Sequence, residues 1–76
     1  MVVGIPLMRN VNGHGDVYEI YGVFDYEKNR KKLVVYRNGR FHNWAYTIDY
    51  TFSAYLEDYA GITPYRQLFL REWLEC

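Results

Sequence analysis

The sequence predicts a small α+β domain, a small antiparallel β-meander of three or four strands followed by two C-terminal helices packed on it. Apolar residues alternate with period two between residues 16 and 26. An Asn-Gly pair at 38–39 separates two β-prone runs, and after residue 50 the apolar period becomes that of a helix. At 76 residues, the chain is expected to form a single domain over residues 1–76.

The N-terminal third is expected to contribute two strands. Residues 2–8 are a short apolar run in which Pro6 favours an edge position, because proline cannot donate a hydrogen bond to a neighbouring strand. A glycine-containing, turn-prone segment covers residues 10–16. Residues 16–26 then alternate between the two faces of a strand, and Gly22 within them indicates a bulge or a close backbone approach.

A charged loop is expected at residues 27–32, followed by a hairpin of residues 33–36 and 41–48. Asn38 and Gly39 form its turn, because both tolerate the positive φ that a type I′ turn requires. The predicted cross-strand pairs are Arg37 with Arg40, Tyr36 with Phe41, Val35 with His42, and Leu33 with Trp44. The first pair brings two like charges together, which is mildly destabilising without a nearby acid.

The last third is expected to form two helices. Apolar side chains recur at i, i+3, i+4 and i+7 of the first helix. They are Phe52, Tyr55, Leu56 and Tyr59. Gly61 can adopt the left-handed conformation that ends a helix, and Thr63 with Pro64 is typical of a helix start. The second helix has a broad apolar face, made of Leu68, Phe69, Leu70, Trp73 and Leu74. The only serine, Ser53, lies at the expected start of the first helix, where capping or exposure explains it.

Charge and cysteine content exclude several classes of function. The formal net charge is zero, so the whole molecule presents no strong field to a polyanion or a membrane. No apolar run approaches the roughly 20 residues that a membrane span needs. The single cysteine, Cys76, cannot form an internal disulfide and favours a reducing compartment. We therefore expect a cytoplasmic protein without membrane contact.

The sequence contains no pattern typical of catalysis or metal binding. His14 and His42 are the only histidines, and neither has a second histidine at i+4 or a paired cysteine nearby. Ser53, His42 and Asp49 could in principle be combined into a catalytic triad, but no motif supports that combination. We therefore expect a protein that is not an enzyme and that uses no cofactor.

The aromatic residues exceed what a core of this size needs. Nine tyrosines, four phenylalanines and two tryptophans occur in the chain, so some rings are expected on the surface. Surface tyrosine offers contact area at little rotamer cost, and carboxylates add steering and selectivity. These features favour a non-catalytic protein-binding module, an inhibitor or modulator of a larger nucleic-acid-handling complex, of the kind that phages and mobile elements encode. The candidate contact residues are Tyr21, Tyr46, Tyr50, Glu57 and Asp58.

The alternative function is binding of single-stranded RNA or DNA. Six basic residues lie between positions 28 and 40 and are interleaved with aromatic residues, which suits phosphates and stacked bases. The candidates are Lys28, Arg30, Lys31, Lys32, Arg37 and Arg40. A solvated turn beside core aromatic residues explains the same pattern. A homodimer through the helix at 64–75 is also open, because its apolar face is wider than a small core can bury.

Several short elements follow one another in a fixed order along residues 24–73. They are Phe24-Asp25, Leu33-Val34-Val35-Tyr36, Asn38-Gly39, Trp44, Tyr55-Leu56 and Gly61. This order resembles the short KTSC domain family, which is named for its occurrence at the C-terminus of lysyl-tRNA synthetase. In place of that family's Gly-Val-Pro after the second strand, this chain has Thr47-Ile48-Asp49. The resemblance implies a hairpin followed by two short helices, and it implies no particular chemistry.

Overall fold

A computed structural model describes residues 4–76 as a four-stranded sheet followed by two helices. The elements are β1 (Ile5–Val11), β2 (Val17–Asp25), β3 (Arg30–Arg37), β4 (Arg40–Ala45), α1 (Tyr50–Asp58) and α2 (Pro64–Glu75). Every strand pairs antiparallel with its neighbour in sequence, in the order β1-β2-β3-β4. The predicted α+β class, with a meander followed by two helices, is confirmed.

One face of the sheet packs against both helices and forms the core. Four strand residues on this face are at most 1% exposed: Tyr18, Ile20, Leu33 and Val35. Residues of the helices and their connections complete the cluster: Ile48, Phe52, Leu56, Ala60, Ile62 and Leu70. Strand residues at i and i+2 share a face, so the predicted alternation of β2 agrees with the burial of Tyr18 and Ile20 on the same side. Burial of each Leu or Ile side chain contributes about 1.5–3 kcal/mol, so this face is a major source of stability.

Gly22 is the point at which α2 lies against the sheet backbone. An added Cβ atom at Gly22 would lie 2.5 Å from Cζ2 of Trp73. The indole ring therefore occupies the space that any larger side chain on this strand would need. The close approach predicted for Gly22 is confirmed, and the irregularity in the pairing of β1 with β2 falls elsewhere, between Pro6 and Met8.

The first strand differs from its predicted span. The prediction covered residues 2–8, of which the first two lie outside the described residues, whereas β1 ends later, at Val11. Asn10 donates a side-chain hydrogen bond to the backbone carbonyl of Ala60 (2.7 Å), and Asn12 forms a similar bond to the helix connection. These tertiary contacts fix the positions of Asn10 and Asn12, although the local composition predicts a turn for residues 10–16.

The predicted charged loop at 27–32 is instead a tight turn, and β3 already begins at Arg30. The carboxylate of Asp25 stabilises this turn, because it accepts hydrogen bonds from the backbone N–H groups of Glu27 (3.1 Å) and Lys28 (3.2 Å). The basic residues from Arg30 onward therefore belong to a strand. Their side chains alternate between its two faces and do not share one loop surface.

The hairpin between β3 and β4 turns at Asn38 and Gly39, as predicted. Both residues have positive φ, 52° and 80°. The first two predicted pairs are confirmed, Arg37 with Arg40 and Tyr36 with Phe41.

A β-bulge at His42 makes the other two predicted pairs wrong. Beyond the bulge, each residue of β3 opposes a residue one position further along β4. The structure has Val35 opposite Asn43 and Leu33 opposite Ala45, where the prediction had Val35 opposite His42 and Leu33 opposite Trp44. His42 contacts α1, because its Nδ1 atom lies 2.6 Å from the hydroxyl of Tyr55 and the two rings stack. His42 is the residue of β4 that has no direct partner on β3.

The end of α1 and both ends of α2 lie close to the predicted positions, whereas α1 begins before its expected start at Ser53, at Tyr50. The carboxylate of Asp49 accepts a hydrogen bond from a backbone N–H of the first turn of α1, so Asp49 is its N-cap. Gly61, with a φ of 71°, follows the end of α1. Thr63 caps α2, with Pro64 in the first turn, as predicted. Neither helix of the described chain combines the length and apolar character needed to cross a membrane.

Gln67 connects the two helices inside the core. It is 1% exposed, and its Nε2 atom donates to the backbone carbonyls of Ser53 (3.2 Å) and Ile62 (3.1 Å). Its Oε1 atom accepts a hydrogen bond from the hydroxyl of Ser53 at 2.8 Å. The role predicted for Ser53, capping or exposure, is therefore wrong, because the serine is half-buried within α1 and satisfies a buried amide.

Candidate functional site

The face of the sheet opposite the helices carries a group of aromatic side chains, and we call it the open face. Its rings are Tyr21, Tyr36, Phe41, Trp44 and, at its margin, Tyr46. Phe41 is 59% exposed and Trp44 is 45% exposed, whereas the three tyrosines are half-buried. Both helices pack on the other side of the sheet, so no helix of the described chain covers these rings.

Strand pairing arranges three of these rings in a row. Tyr36 lies directly opposite Phe41 on β4, and Tyr21 is its diagonal neighbour on β2, where Glu19 is its direct partner. The ring centroids of Tyr21 and Tyr36 are 5.7 Å apart, those of Tyr36 and Phe41 are 6.4 Å apart, and both pairs meet edge to face. Such pairs contribute about 0.5–1.5 kcal/mol beyond their buried area. The row borders a shallow depression of about 380 Å³, whose lining includes Glu19, Val23 and Val34.

Trp44 and Tyr46 form the second part of the open face. Their ring centroids are 4.9 Å apart and the rings are nearly perpendicular. The ammonium of Lys32 lies 5.2 Å from the centre of the Trp44 ring, and the guanidinium of Arg30 lies 4.1 Å from the centre of the Tyr46 ring. Exposed cation–π contacts of this kind contribute about 0.5–1 kcal/mol each. The rings and cations thus restrict one another's motion.

Asp25 holds this second part to the turn between β2 and β3. Its Oδ2 atom accepts a hydrogen bond from the Tyr46 hydroxyl at 2.8 Å and lies 3.7 Å from Nζ of Lys32. The hydrogen bond from Tyr46, assisted by the backbone N–H of Lys28, holds the pKa of Asp25 below its ordinary value. The same bond to a carboxylate raises the pKa of the Tyr46 hydroxyl.

The lowered pKa of Asp25 predicts that part of the stability is lost in acid. Because the folded pKa lies below the ordinary value of 3.8, the ionised carboxylate favours folding above that pH. The contribution disappears as the pH falls through the folded pKa. The excess stability of the wild type over Asp25→Asn should therefore shrink below about pH 4 in urea unfolding at a series of pH values. An excess that is the same at pH 7 and pH 2.5 would contradict the assignment, and Asp58→Asn on α1 is the control.

The five residues predicted for protein contact lie on two surfaces. Tyr21 and Tyr46 belong to the open face, whereas Tyr50, Glu57 and Asp58 are exposed on α1 in the opposite layer. The protein-contact prediction omitted three rings of the open face, Tyr36, Phe41 and Trp44. Tyr36 and Phe41 could have been placed beside Tyr21 from the sequence, because their pairing was predicted and the alternation of β2 puts Tyr21 on a known face. Trp44 could not be placed in this way, because its face depends on the bulge.

The six basic residues predicted for nucleic-acid contact are divided among separate surfaces. Arg30 and Lys32 lie on the open face, Arg37 and Arg40 at the end of the hairpin, and Lys28 in the turn between β2 and β3. Lys31 lies on the helical side, where its Nζ atom donates to the carbonyl oxygens of Trp73 (2.9 Å) and Cys76 (2.7 Å). The fold therefore does not bring the six cations into one groove.

No protein-family model, curated protein or solved structure matches this chain. The resemblance of residues 24–73 to the KTSC family stays a prediction. Within residues 4–76, no three His, Cys, Asp or Glu side chains come close enough together to hold a metal ion.

Proposed function

We propose that this chain is a small, non-catalytic protein-binding module whose contact surface is the open face. The observation that carries the proposal is the exposed group of rings around Trp44, with Arg30 and Lys32 placed against them. Trp, Tyr and Arg are the residues that most often contribute large binding energies at protein interfaces. Because these rings already restrain one another, their ordering on binding costs little entropy.

The partner surface we propose is apolar at its centre, where it receives Trp44 and Phe41. It carries carboxylates at the end that meets Arg30, because that guanidinium lies on the Tyr46 ring and has no ion pair within the described residues. Asp25 is already engaged by Tyr46 and Lys32, so it adds little free negative charge to this end. Charge complementarity of this kind contributes to specificity and to the rate of association.

Capture of partners from a lysate of the native host tests the proposal. The lysate is treated with nuclease, and wild type is compared with Trp44→Ala and Tyr26→Ala. Tyr26 is the matched control, because it is 87% exposed in the turn and lies outside the open face. A protein retained by wild type and by Tyr26→Ala, but lost with Trp44→Ala, supports the proposal. A partner retained equally by both variants contradicts it.

A narrower form of the proposal makes the chain an inhibitor or modulator of a larger nucleic-acid-handling complex, encoded by a phage or mobile element. Glu57 and Asp58, exposed on α1, would then approach a basic surface of that complex.

Reversing Glu57 and Asp58 to Lys is expected to slow association about tenfold at low ionic strength, because electrostatic steering would become repulsive. The control is reversal of Glu72 and Glu75, which makes the same charge change on exposed residues of α2. Stopped-flow or surface-based association rates measure the effect. Equal rates for the two double variants would remove Glu57 and Asp58 from the interface.

Single-strand nucleic-acid binding stays the alternative proposal. Arg30 and Lys32 beside Tyr46 and Trp44 favour it, because single strands are bound by rings that stack on bases and cations that neutralise phosphates. Binding of a labelled single-stranded oligonucleotide that weakens steeply as salt is added supports this alternative. No binding at about 50 mM salt removes it.

A homodimer through α2 is a further proposal about partners. Tyr65, Leu68 and Phe69 follow one another at helical spacing and are 81%, 50% and 52% exposed, whereas Leu70 is buried. The core therefore covers only part of the predicted apolar face. Sedimentation at two concentrations tests this proposal, and the monomer mass at both concentrations contradicts it.

A further inference from the structure

Two arginines face each other where the hairpin of β3 and β4 turns. Arg37 and Arg40 are direct cross-strand partners, and like charges in such a pair destabilise a sheet. Both line a cleft of about 390 Å³ together with Asn38, Phe41 and His42. No carboxylate of the described chain lines this cleft. The cleft is thus a local concentration of positive charge in a chain with zero net charge.

Arg37 is held in position by contacts outside this cleft. Its Nη2 atom donates to Oδ2 of Asp16 at 3.1 Å, and Oδ1 of Asp16 accepts a hydrogen bond from the side chain of Asn38 at 3.0 Å. A guanidinium has five N–H donors, so most of them are not used by Asp16. Arg40 is exposed and forms no ion pair with any residue of 4–76. One guanidinium is therefore already oriented, and the other can close onto a ligand.

His42 offers a third hydrogen-bond donor. Its Nδ1 atom lies 2.6 Å from the Tyr55 hydroxyl, and its ring packs edge to face against Tyr18. Burial raises the pKa of Tyr55 above its ordinary value, so this hydroxyl keeps its proton and can donate it to Nδ1. With Nδ1 engaged by this hydroxyl, Nε2 is the ring nitrogen that makes no hydrogen bond within the described chain, and it donates in the tautomer that carries the proton there.

We propose that this cleft binds a phosphate group, with Arg37, Arg40 and Nε2 of His42 as donors. The planar guanidinium fork matches the oxygen atoms of a phosphate, and a bound dianion would relieve the repulsion between the two arginines. The phosphate belongs either to a free nucleotide or to the end of a nucleic-acid strand. The proposal is independent of protein binding by the open face, with which the cleft shares only the ring of Phe41.

Titration followed by amide NMR tests the proposal, with inorganic phosphate, adenosine 5′-monophosphate and a 5′-phosphorylated single-stranded oligonucleotide as probes. We expect saturable shifts at residues 37–42. Arg40→Gln should weaken binding about tenfold, because it removes hydrogen bonds between charged groups. Lys28→Gln is the matched control, since it removes one exposed charge from the opposite end of the sheet. It should bind like the wild type.

The stability of Arg40→Gln separates binding from folding. In phosphate-free buffer this variant should melt at a temperature close to that of the wild type, because Arg40 is exposed and Asp16 already pairs with Arg37. Weaker phosphate binding by a protein of unchanged stability supports the site. If the mononucleotide binds more tightly than inorganic phosphate, the site is supported and its ligand is a free nucleotide. If only the oligonucleotide binds, the site is supported and its ligand is the phosphorylated end of a strand. Equal weakening in Arg40→Gln and Lys28→Gln, or no saturable shift with any probe, overturns it.

Discussion

Gly22→Val is expected to lower the free energy of unfolding by about 3 kcal/mol, as overpacking against a fixed neighbour does. The first added carbon would lie 2.5 Å from Cζ2 of Trp73, closer than two carbons can approach. Trp73 cannot move away freely, because Lys31 donates to its backbone carbonyl at 2.9 Å and lies against its ring. Valine favours strands more than glycine does, so strand propensity alone predicts that Gly22→Val raises the free energy of unfolding. Urea unfolding measures the difference.

Gly13→Val is the matched control, because a Cβ atom at Gly13 meets no atom within 4 Å. It should change the stability little. Trp73→Ala removes the obstacle, so Gly22→Val should cost much less in that background than in the wild type. Contacting residues are expected to show such non-additivity. Additive losses in the double variant would refute the direct contact between ring and strand.

Trp44→Ala is expected to weaken binding of the protein partner by about 30-fold, which corresponds to the roughly 2 kcal/mol lost at an interface hot spot. The fold should remain intact, because Trp44 is 45% exposed and its described ring contacts are with Tyr46 and Lys32. Affinity is measured by calorimetry with the captured partner, and circular dichroism reports folding.

Two further variants locate this effect on the open face. Lys32→Ala removes the cation from the Trp44 ring and should weaken binding by a smaller factor. Tyr26→Ala truncates a more exposed ring, at 87%, and should leave the affinity unchanged. A change of less than twofold for Trp44→Ala would exclude the open face as the contact surface.

Most of the secondary structure follows from local patterns. The alternation of β2 predicts Tyr18 and Ile20 on one face, and Asn38-Gly39 predicts the hairpin turn, because each pattern depends only on neighbouring backbone conformations. The start of α2 is predicted for the same reason, since a threonine cap followed by proline satisfies the first turn of a helix locally.

The candidate site was only partly predictable. Tyr21 and Tyr46 were predicted as contact residues and lie on the open face, whereas Glu57, Asp58 and Tyr50 lie on α1. Residues 27–32 were predicted as a loop, because charged side chains favour exposure to solvent. In the structure, the hydrogen bonds from Glu27 and Lys28 to Asp25 form a tight turn, and β3 begins directly after it at Arg30. Alternation along the strand then puts the side chain of Lys31 on the opposite face from those of Arg30 and Lys32.

The sequence by itself determined the α+β class, the hairpin turn, the capped start of α2 and the alternation of β2, because each depends on interactions between residues close in the chain. Tertiary structure alone decided which face carries Trp44. A bulge at His42 adds one residue to β4, which moves Trp44 from opposite Leu33 to opposite Val34. A slip of one residue exchanges the two faces of a strand, so the bulge places the tryptophan outside the core and on the open face, and no local pattern in the sequence marks where the bulge falls.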